Sequence, residues 1–399
     1  MQNRLRLLPL LARLAAPAAL ALPLLGWSSA RAQSSPPYIA YALPAGAQQG
    51  TTVEVDVRGR HLIGATRVHV SGEGATGEVL SVEQPDKGKK QRLDISDNPD
   101  LAHIKVTLAA DAPVGQRDLR LITPGGVSNR FRFFVGEVPE VNEEEPNSTL
   151  EEAQALGSLP RLANGRINQG DRDIFRFQAK AGQTLVFDLD GQKIVPFIAD
   201  AVPGWLQATL TLYDGQGKRL ASIDDFHHHP DPLLVYEIEK DGEYLIEARD
   251  ALYRGRNDLV YRLSIGQTPL ITHIFPLGAK RGSKAKVELF GVNLPTDSLT
   301  LDLSGEDANE RRVQVGADGL TSNALPFAVG DLPEMVESEK NDSPEKANPV
   351  ELPVTVNGRI DPGGDADYFT FTPKSKQKLK IDVDARGLDS PVDTAGSLF

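Results

Sequence analysis

Cysteine is absent from the 399 residues, which excludes disulfide staples, thiolate metal sites and cysteine nucleophiles. Basic residues are outnumbered, 43 Lys and Arg against 55 Asp and Glu, and the formal charge of −12 argues against the clustered positive surface that a nucleic-acid binder needs. Catalytic signatures are missing too. There is no His-Glu-x-x-His zinc helix, no Gly-x-Ser-x-Gly elbow and no phosphate-cradling glycine loop. The many Asp and Glu pairs do not by themselves indicate glycoside hydrolysis, which depends on a measured carboxylate separation. An enzyme is therefore not expected from these residues.

Turn formers are abundant instead. With 36 Gly and 28 Pro the chain is punctuated too often for a helical bundle, and 40% hydrophobic content is too high for disorder throughout. Its length suggests two to four modules. Met1 to Ala32 has the three parts of a secretory signal: Arg4 and Arg6, an apolar stretch from Leu7 to Leu25, and Ala30-Arg31-Ala32 before a cleavage point. Arg13 and Pro17 interrupt the apolar stretch, which disfavours a membrane anchor. Export to the periplasm, cell surface or exterior is expected, with no stable membrane span after cleavage. Losing four arginines and no acid takes the charge from −12 to −16. An acidic exported chain without disulfides needs another staple, and Ca2+ is the first candidate.

The chain repeats itself in the order A-B-A-B. Tyr38 to Gly50 aligns with Leu270 to Gly282, continuing through Gly59 and Gly291 to Leu62 and Leu294; Ser128-Asn129 recurs as Ser322-Asn323. Asn164-Gly-Arg-Ile167 recurs as Asn357-Gly-Arg-Ile360, and Gly170-Asp-Arg-Asp-Ile-Phe-Arg-Phe177 as Gly364-Asp-Ala-Asp-Tyr-Phe-Thr-Phe371. The expected order is a signal peptide at 1–32, an A module at 33–138, a B module at 139–267, a shorter A at 268–332 and a truncated B at 333–399. The shortening of the second A is expected to remove the pair 103–108 and 116–122. Alternating polar and apolar residues in Thr52–Val57, Lys284–Leu289 and Lys378–Val383 predict half-buried strands. The fold class is thus all-β: tandem antiparallel sandwiches, Ig-like and jelly-roll-like, with no large helical domain after signal removal. Ser148 and Glu151 have capping-box spacing and predict one or two helical turns. The second B stops before a counterpart of the Asp241-Gly-Glu-Tyr244 hairpin, leaving an uncovered edge, so low stability of 333–399 alone is expected, or continuation beyond residue 399.

Each B module opens on spaced oxygen donors: Glu143, Glu145 and Asn147 in the first; Glu337, Glu339, Asn341 and Asp342 in the second. In an extended chain, positions i, i+2 and i+4 share a face. Further on come Asp171 and Asp173, and Asp365 and Asp367. Gathering these carboxylates is unfavourable unless a cation neutralises them, and oxygen-only donors suit Ca2+ better than zinc or copper. No EF-hand loop is present.

Residues 141–267 resemble the bacterial pre-peptidase C-terminal domain through Glu143-x-Glu-Pro-Asn147, Gly165-Arg-Ile, Gly170-Asp-x-Asp-x-Phe-x-Phe177, Leu210-x-Leu-Tyr-Asp214 and Asp241-Gly-x-Tyr244. That resemblance implies a β-sandwich of the kind appended to secreted peptidases. The similar collagen-binding domains of bacterial collagenases hold calcium through the opening acidic segment and a following Asp-rich loop. It implies as ligands Glu143, Glu145, Asn147, Asp171 and Asp173, with Glu337, Glu339, Asn341, Asp342, Asp365 and Asp367 in the second copy. Ser148 stands where the second copy has Asp342, which implies weaker binding at the first. The A modules resemble IPT/TIG immunoglobulin-like domains through Pro44-x-Gly46, Gly50 and Thr123-Pro-Gly-Gly-Val-Ser-Asn129. Together these imply a non-catalytic secreted or surface array that binds an extracellular protein or polysaccharide; the alternative is the non-catalytic part of a secreted hydrolase, a peptidase, with its catalytic domain beyond residue 399.

Other clusters have plainer readings. His227-His228-His229 with Asp231 has zinc or nickel donors, but Pro230 and Pro232 suggest a solvated turn. The basic run Lys87 to Arg92 reads as a hairpin tip. Trp205, Phe197 and Tyr213 fit sandwich packing better than a stacking platform for ligands.

Overall fold

The computed structural model describes residues 35–84, 100–168, 170–197, 204–361 and 363–399. The expected signal sequence at 1–32 and the run 87–92 lie outside the described residues. Within them, regular structure is strand apart from two 3-10 turns, Pro344–Lys346 and Arg386–Leu388, so the fold is all-β. No helix among the described residues is long and apolar enough to cross a membrane.

The first two sheets face each other across one buried cluster. One carries, in spatial order, Tyr38–Leu43, Thr52–Arg60, Asp100–Leu108 and Ala75–Glu83; the other carries Gly46–Gln48, Phe131–Gly136, Gly115–Thr123 and Arg67–Val70. Alternation puts Val55, Val57, Ile104 and Val106 inside, against Leu119, Leu121, Phe131 and Phe133 of the facing sheet. The repeated residues have repeated duties. Asn129 accepts from Ile39 N at 2.7 Å and donates to Ile39 O at 3.0 Å, and Asn323 does the same to Ile271 at 2.8 Å each way. A Cβ on Gly59 or Gly291 would come within 1.9 Å of a carbonyl oxygen of the paired strand, Tyr38 O and Leu270 O respectively.

Residues 270–330 build two three-stranded sheets around Val287, Leu289, Leu325 and Phe327. The expected loss of 103–108 and 116–122 is corrected by the register. Lys284 pairs with Asp302 as Thr52 pairs with Thr107, and Val313 pairs with Leu325 as Leu119 pairs with Phe131. Ser298–Asp302 and Glu310–Val313 therefore occupy those central positions. What has no counterpart is the outer pair Arg67–Val70 and Ala75–Glu83. Edge strands cover one flank, whereas central strands supply both ladders, so the edges are the dispensable ones.

Residues 140–266 form two five-stranded sheets, ordered 140–142, 161–166, 260–266, 184–190, 233–237 and 154–155, 173–179, 242–250, 208–214, 219–223. Phe175, Phe177, Phe187, Ile246 and Leu263 fill the space between them. Most pairings are antiparallel, but the short openers 140–142 and 154–155 run parallel to their neighbours. The same parallel openers recur at 334–336 with 355–357 and at 348–349 with 369–370.

Two local expectations are corrected. No helix follows Ser148: Thr149 pairs with Glu152 across a single turn (Oγ1 to Oε2, 2.9 Å), while Ser148 Oγ donates to Asp171 at 2.8 Å. Lys378–Val383 is not a strand. In the first copy, Thr184–Asp190 is held between Leu233–Glu237 and Val260–Gly266, and residues up to 399 contain no counterpart of either neighbour. Alternation alone does not satisfy a strand's backbone.

Arg262 joins the first two modules. It is 3% exposed, reaches Glu140 at 2.6 Å and Phe134 O at 3.3 Å, and a Cβ on Gly46 would lie 1.1 Å from its Nη1. Ile194, Val195 and Val260 extend the first core into this junction. Arg262→Met should cost about 3 kcal/mol, because it strands the Glu140 carboxylate in a covered junction. Urea unfolding would measure the loss, and an unchanged midpoint would contradict this role.

Candidate functional site

The first acidic set gathers where the opening segment 143–147 passes the start of strand 173–179. Two backbone bonds fix the approach: Glu143 N donates to Asn164 O at 2.9 Å, and Ile174 N donates to Asn147 O at 3.0 Å. Carboxylate oxygens of Glu145, Asp171 and Asp173 lie within 4.8 Å of one another. Glu143 sits beside Asp173 and accepts from Arg166 N at 2.9 Å. Gly165 makes that possible, since a Cβ there would lie 2.3 Å from both Glu143 Oε2 and Tyr261 Oη.

The electrostatics are unbalanced. Asp173 is fully buried, and burial together with the neighbouring Glu143 carboxylate pushes its pKa up to about 10. Burial also raises Glu143, and burial followed by Asp171 raises Glu145. No cation among the described residues pairs directly with Asp173: its hydrogen-bond partners there are the Glu143 carboxyl group and Tyr261, which donates at 2.5 Å and whose own phenol is raised by burial and by Asp173. Polar atoms remain buried without partners at Asp171 Oδ2, Asp173 Oδ1 and both side-chain ends of Asn147. Buried polar atoms are normally satisfied, so this concentration needs an explanation.

The second set repeats the frame. Glu337 accepts from Arg359 N, and Tyr368 N donates to Asn341 O at 3.0 Å. Glu337 Oε2, Asp367 Oδ1 and both ends of Asn341 are again buried and unpartnered. Burial and Glu337 push Asp367 to about 6, and Glu339 is raised by partial desolvation and by Glu337, Asp365 and Asp342. Asp365 accepts from Asp361 N and Ala366 N, and Asp342 is exposed. Among the described residues, no three of these carboxylates converge as the first set does. The first set also has Tyr261, from strand 260–266, donating to Asp173, and no corresponding bond to Asp367 is present among the described residues.

Tyr261 escaped the sequence reading. A buried tyrosine needs a hydroxyl partner, but a partner 88 positions away is visible only once strands 161–166 and 260–266 pair. The other clusters resolve differently. Asp231 is buried and accepts from Gln192 N and Lys193 N at 2.7 and 2.8 Å, away from the histidines. Trp205 stacks on Phe197 at 4.6 Å, carries Arg256 at 4.9 Å and packs on two cores; Tyr213 is elsewhere, donating to Glu247 at 3.2 Å.

No family model and no curated protein matches the chain. Among solved structures it is similar to the pre-peptidase C-terminal domain of collagenase from Bacillus anthracis, at 15% identity over 31% of this chain and 99% of that one, with a TM-score of 0.21. It is also similar to PliG from Aeromonas hydrophila, a periplasmic inhibitor of g-type lysozyme, at 15% identity over 32% and 96%, with a TM-score of 0.19. A third similarity is to SGBP-B of the mixed-linkage glucan utilization locus of Bacteroides ovatus, at 9% identity over 55% and 72%, with a TM-score of 0.17. With scores this low, the fold class rests on the sheets and cores described above.

Proposed function

We propose that this chain is an exported, non-catalytic array of β-sandwiches stiffened by Ca2+, whose exposed faces bind a matrix polymer or a partner protein. On this reading 139–267 and 333–399 are pre-peptidase C-terminal modules, and 33–138 and 268–332 are IPT/TIG-like. Glu143, Glu145, Asn147, Asp171 and Asp173 hold the first ion; Glu337, Glu339, Asn341, Asp342, Asp365 and Asp367 hold the second. The observation that carries the reading is the repeated group of buried, unpartnered oxygens on Asn147, Asp171 and Asp173, and on Glu337, Asn341 and Asp367. Calcium takes oxygen ligands at about 2.4 Å, so donors around one ion lie up to about 4.8 Å apart, and the carboxylate oxygens of Glu145, Asp171 and Asp173 fall within that limit. Its tighter convergence supports assigning it the higher affinity, the reverse of the order suggested by Ser148 alone.

Calorimetric titration of the full chain with calcium chloride should show a tighter and a weaker site. Glu145→Gln, at an exposed position that leaves the core intact, should weaken the tighter one by about tenfold or more. No binding at millimolar calcium would overturn the metal role. Retention on a collagen and glycan panel that disappears with chelator would support the binding role, and retention of nothing on the panel would count against it.

A further inference from the structure

The histidine run has a carboxylate partner that lies 160 positions away in sequence. Phe226 and His229 pair across a tight hairpin, with Phe226 N to His229 O at 3.0 Å and the reverse bond at 2.9 Å, leaving His227 and His228 as its two-residue tip. His227 takes a φ of +55°, where glycine, asparagine or aspartate is usual. This turn sets the rings of His228 and His229 side by side, 4.2 Å between centroids. Both Nε2 atoms then face one oxygen: Asp389 Oδ1 is 3.2 Å from His228 and 2.5 Å from His229. Asp389 is presented by the 3-10 turn Arg386–Leu388, at a φ of +63°.

We propose that His228, His229 and Asp389 form a binding site for a borderline divalent transition metal such as zinc, tying hairpin 226–229 to turn 386–389. One donor atom from each lies within 4.8 Å of the others. Tetrahedral bonds of about 2.0–2.1 Å put zinc's donors about 3.3–3.4 Å apart; the 3.2 Å from His228 to Asp389 already fits, and the 2.5 Å from His229 must open by about 0.8 Å, a movement open to side chains that are not fully buried. The metal takes the place of the direct contact between imidazole and carboxylate. Two imidazoles and one carboxylate select zinc, nickel or copper over calcium, which separates this site chemically from the acidic sets. Three protein donors leave a fourth position for water or an outside ligand. Adjacent histidines can share one ligand here because the tip is a reversal, where neighbouring side chains need not alternate as they do along a strand.

The test is calorimetric titration of the full chain with zinc chloride, in millimolar calcium so that the acidic sets do not compete. Wild type should bind one zinc. His228→Ala, His229→Ala and Asp389→Asn should each weaken binding by about tenfold or more, whereas His227→Ala, in the same turn, should not. Zinc should also slow proteolysis near residues 386–389 in wild type and not in His229→Ala. Absence of zinc binding, or undiminished binding by the His228→Ala/His229→Ala double variant or by Asp389→Asn, would overturn the site. Failure here would leave the calcium titration untouched, since none of its donors is shared.

Discussion

Replacing Asp173 by asparagine should stabilise the metal-free chain at pH 8 and weaken its response to calcium. Asp173 is fully buried beside Glu143, with Tyr261 donating to it, and its pKa stands at about 10 against 3.8 for an ordinary aspartate. Between those values the folded chain keeps a proton that the unfolded chain has released. Stability is therefore greatest below pH 3.8 as far as this group is concerned, and falls as pH rises toward 10. The slope is at most about 1.4 kcal/mol per pH unit, or up to about 4 kcal/mol from pH 5 to 8. Glu143 and Glu145, also raised, act in the same direction. Asp302, held at about 2, and Asp250, also lowered, have the opposite sign but lose their contribution only as pH falls below the ordinary carboxylate range. In Asp173→Asn the amide still accepts from Tyr261 and has N–H donors for Glu143, so most of the slope should vanish. Urea unfolding at pH 5 and pH 8, without calcium, measures it. Equal slopes in wild type and variant would show that Asp173 is not the strained group.

Calcium should act on the same imbalance from the other side. An ion bound only by the folded chain, at a hundred times its Kd, adds about 2.7 kcal/mol, which for a sandwich pair of this size corresponds to a rise in melting temperature of roughly 5–10 °C. Because the carboxyl groups must ionise to bind, the ion displaces protons, and the apparent binding enthalpy should vary with the ionisation enthalpy of the buffer. Asp173→Asn should reduce the temperature rise and remove the largest part of the proton release. A melting temperature indifferent to calcium, or binding with no buffer dependence, would contradict this coupling.

The repeat made much of this legible. Ser128-Asn129 and Ser322-Asn323, identified only as landmarks, turn out to make matched bonds in both copies: the serines accept from Leu121 N and Val315 N, and the asparagines from Ile39 N and Ile271 N. Gly165 and Gly358, seen as repeated letters, give room to Glu143 and Glu337. The errors share one cause. Lys378–Val383 alternates as a strand should, and Ser148 and Glu151 have helix-cap spacing, yet neither pattern can tell whether a partner ladder is present or whether Asp171 competes for the serine hydroxyl.

By itself the amino-acid order determined the all-β class, the A-B-A-B self-similarity and which oxygen donors recur at matched positions, because alternation, turn residues and self-similarity are properties of neighbours along a chain. Only the folded arrangement decided that Tyr261 closes over Asp173, that central strands survive in the shorter copy while edges do not, and that Asp389 meets the histidine hairpin. Those facts depend on strand pairing and packing between residues up to 160 positions apart, and distance in space is set by the sum of all the turns between them.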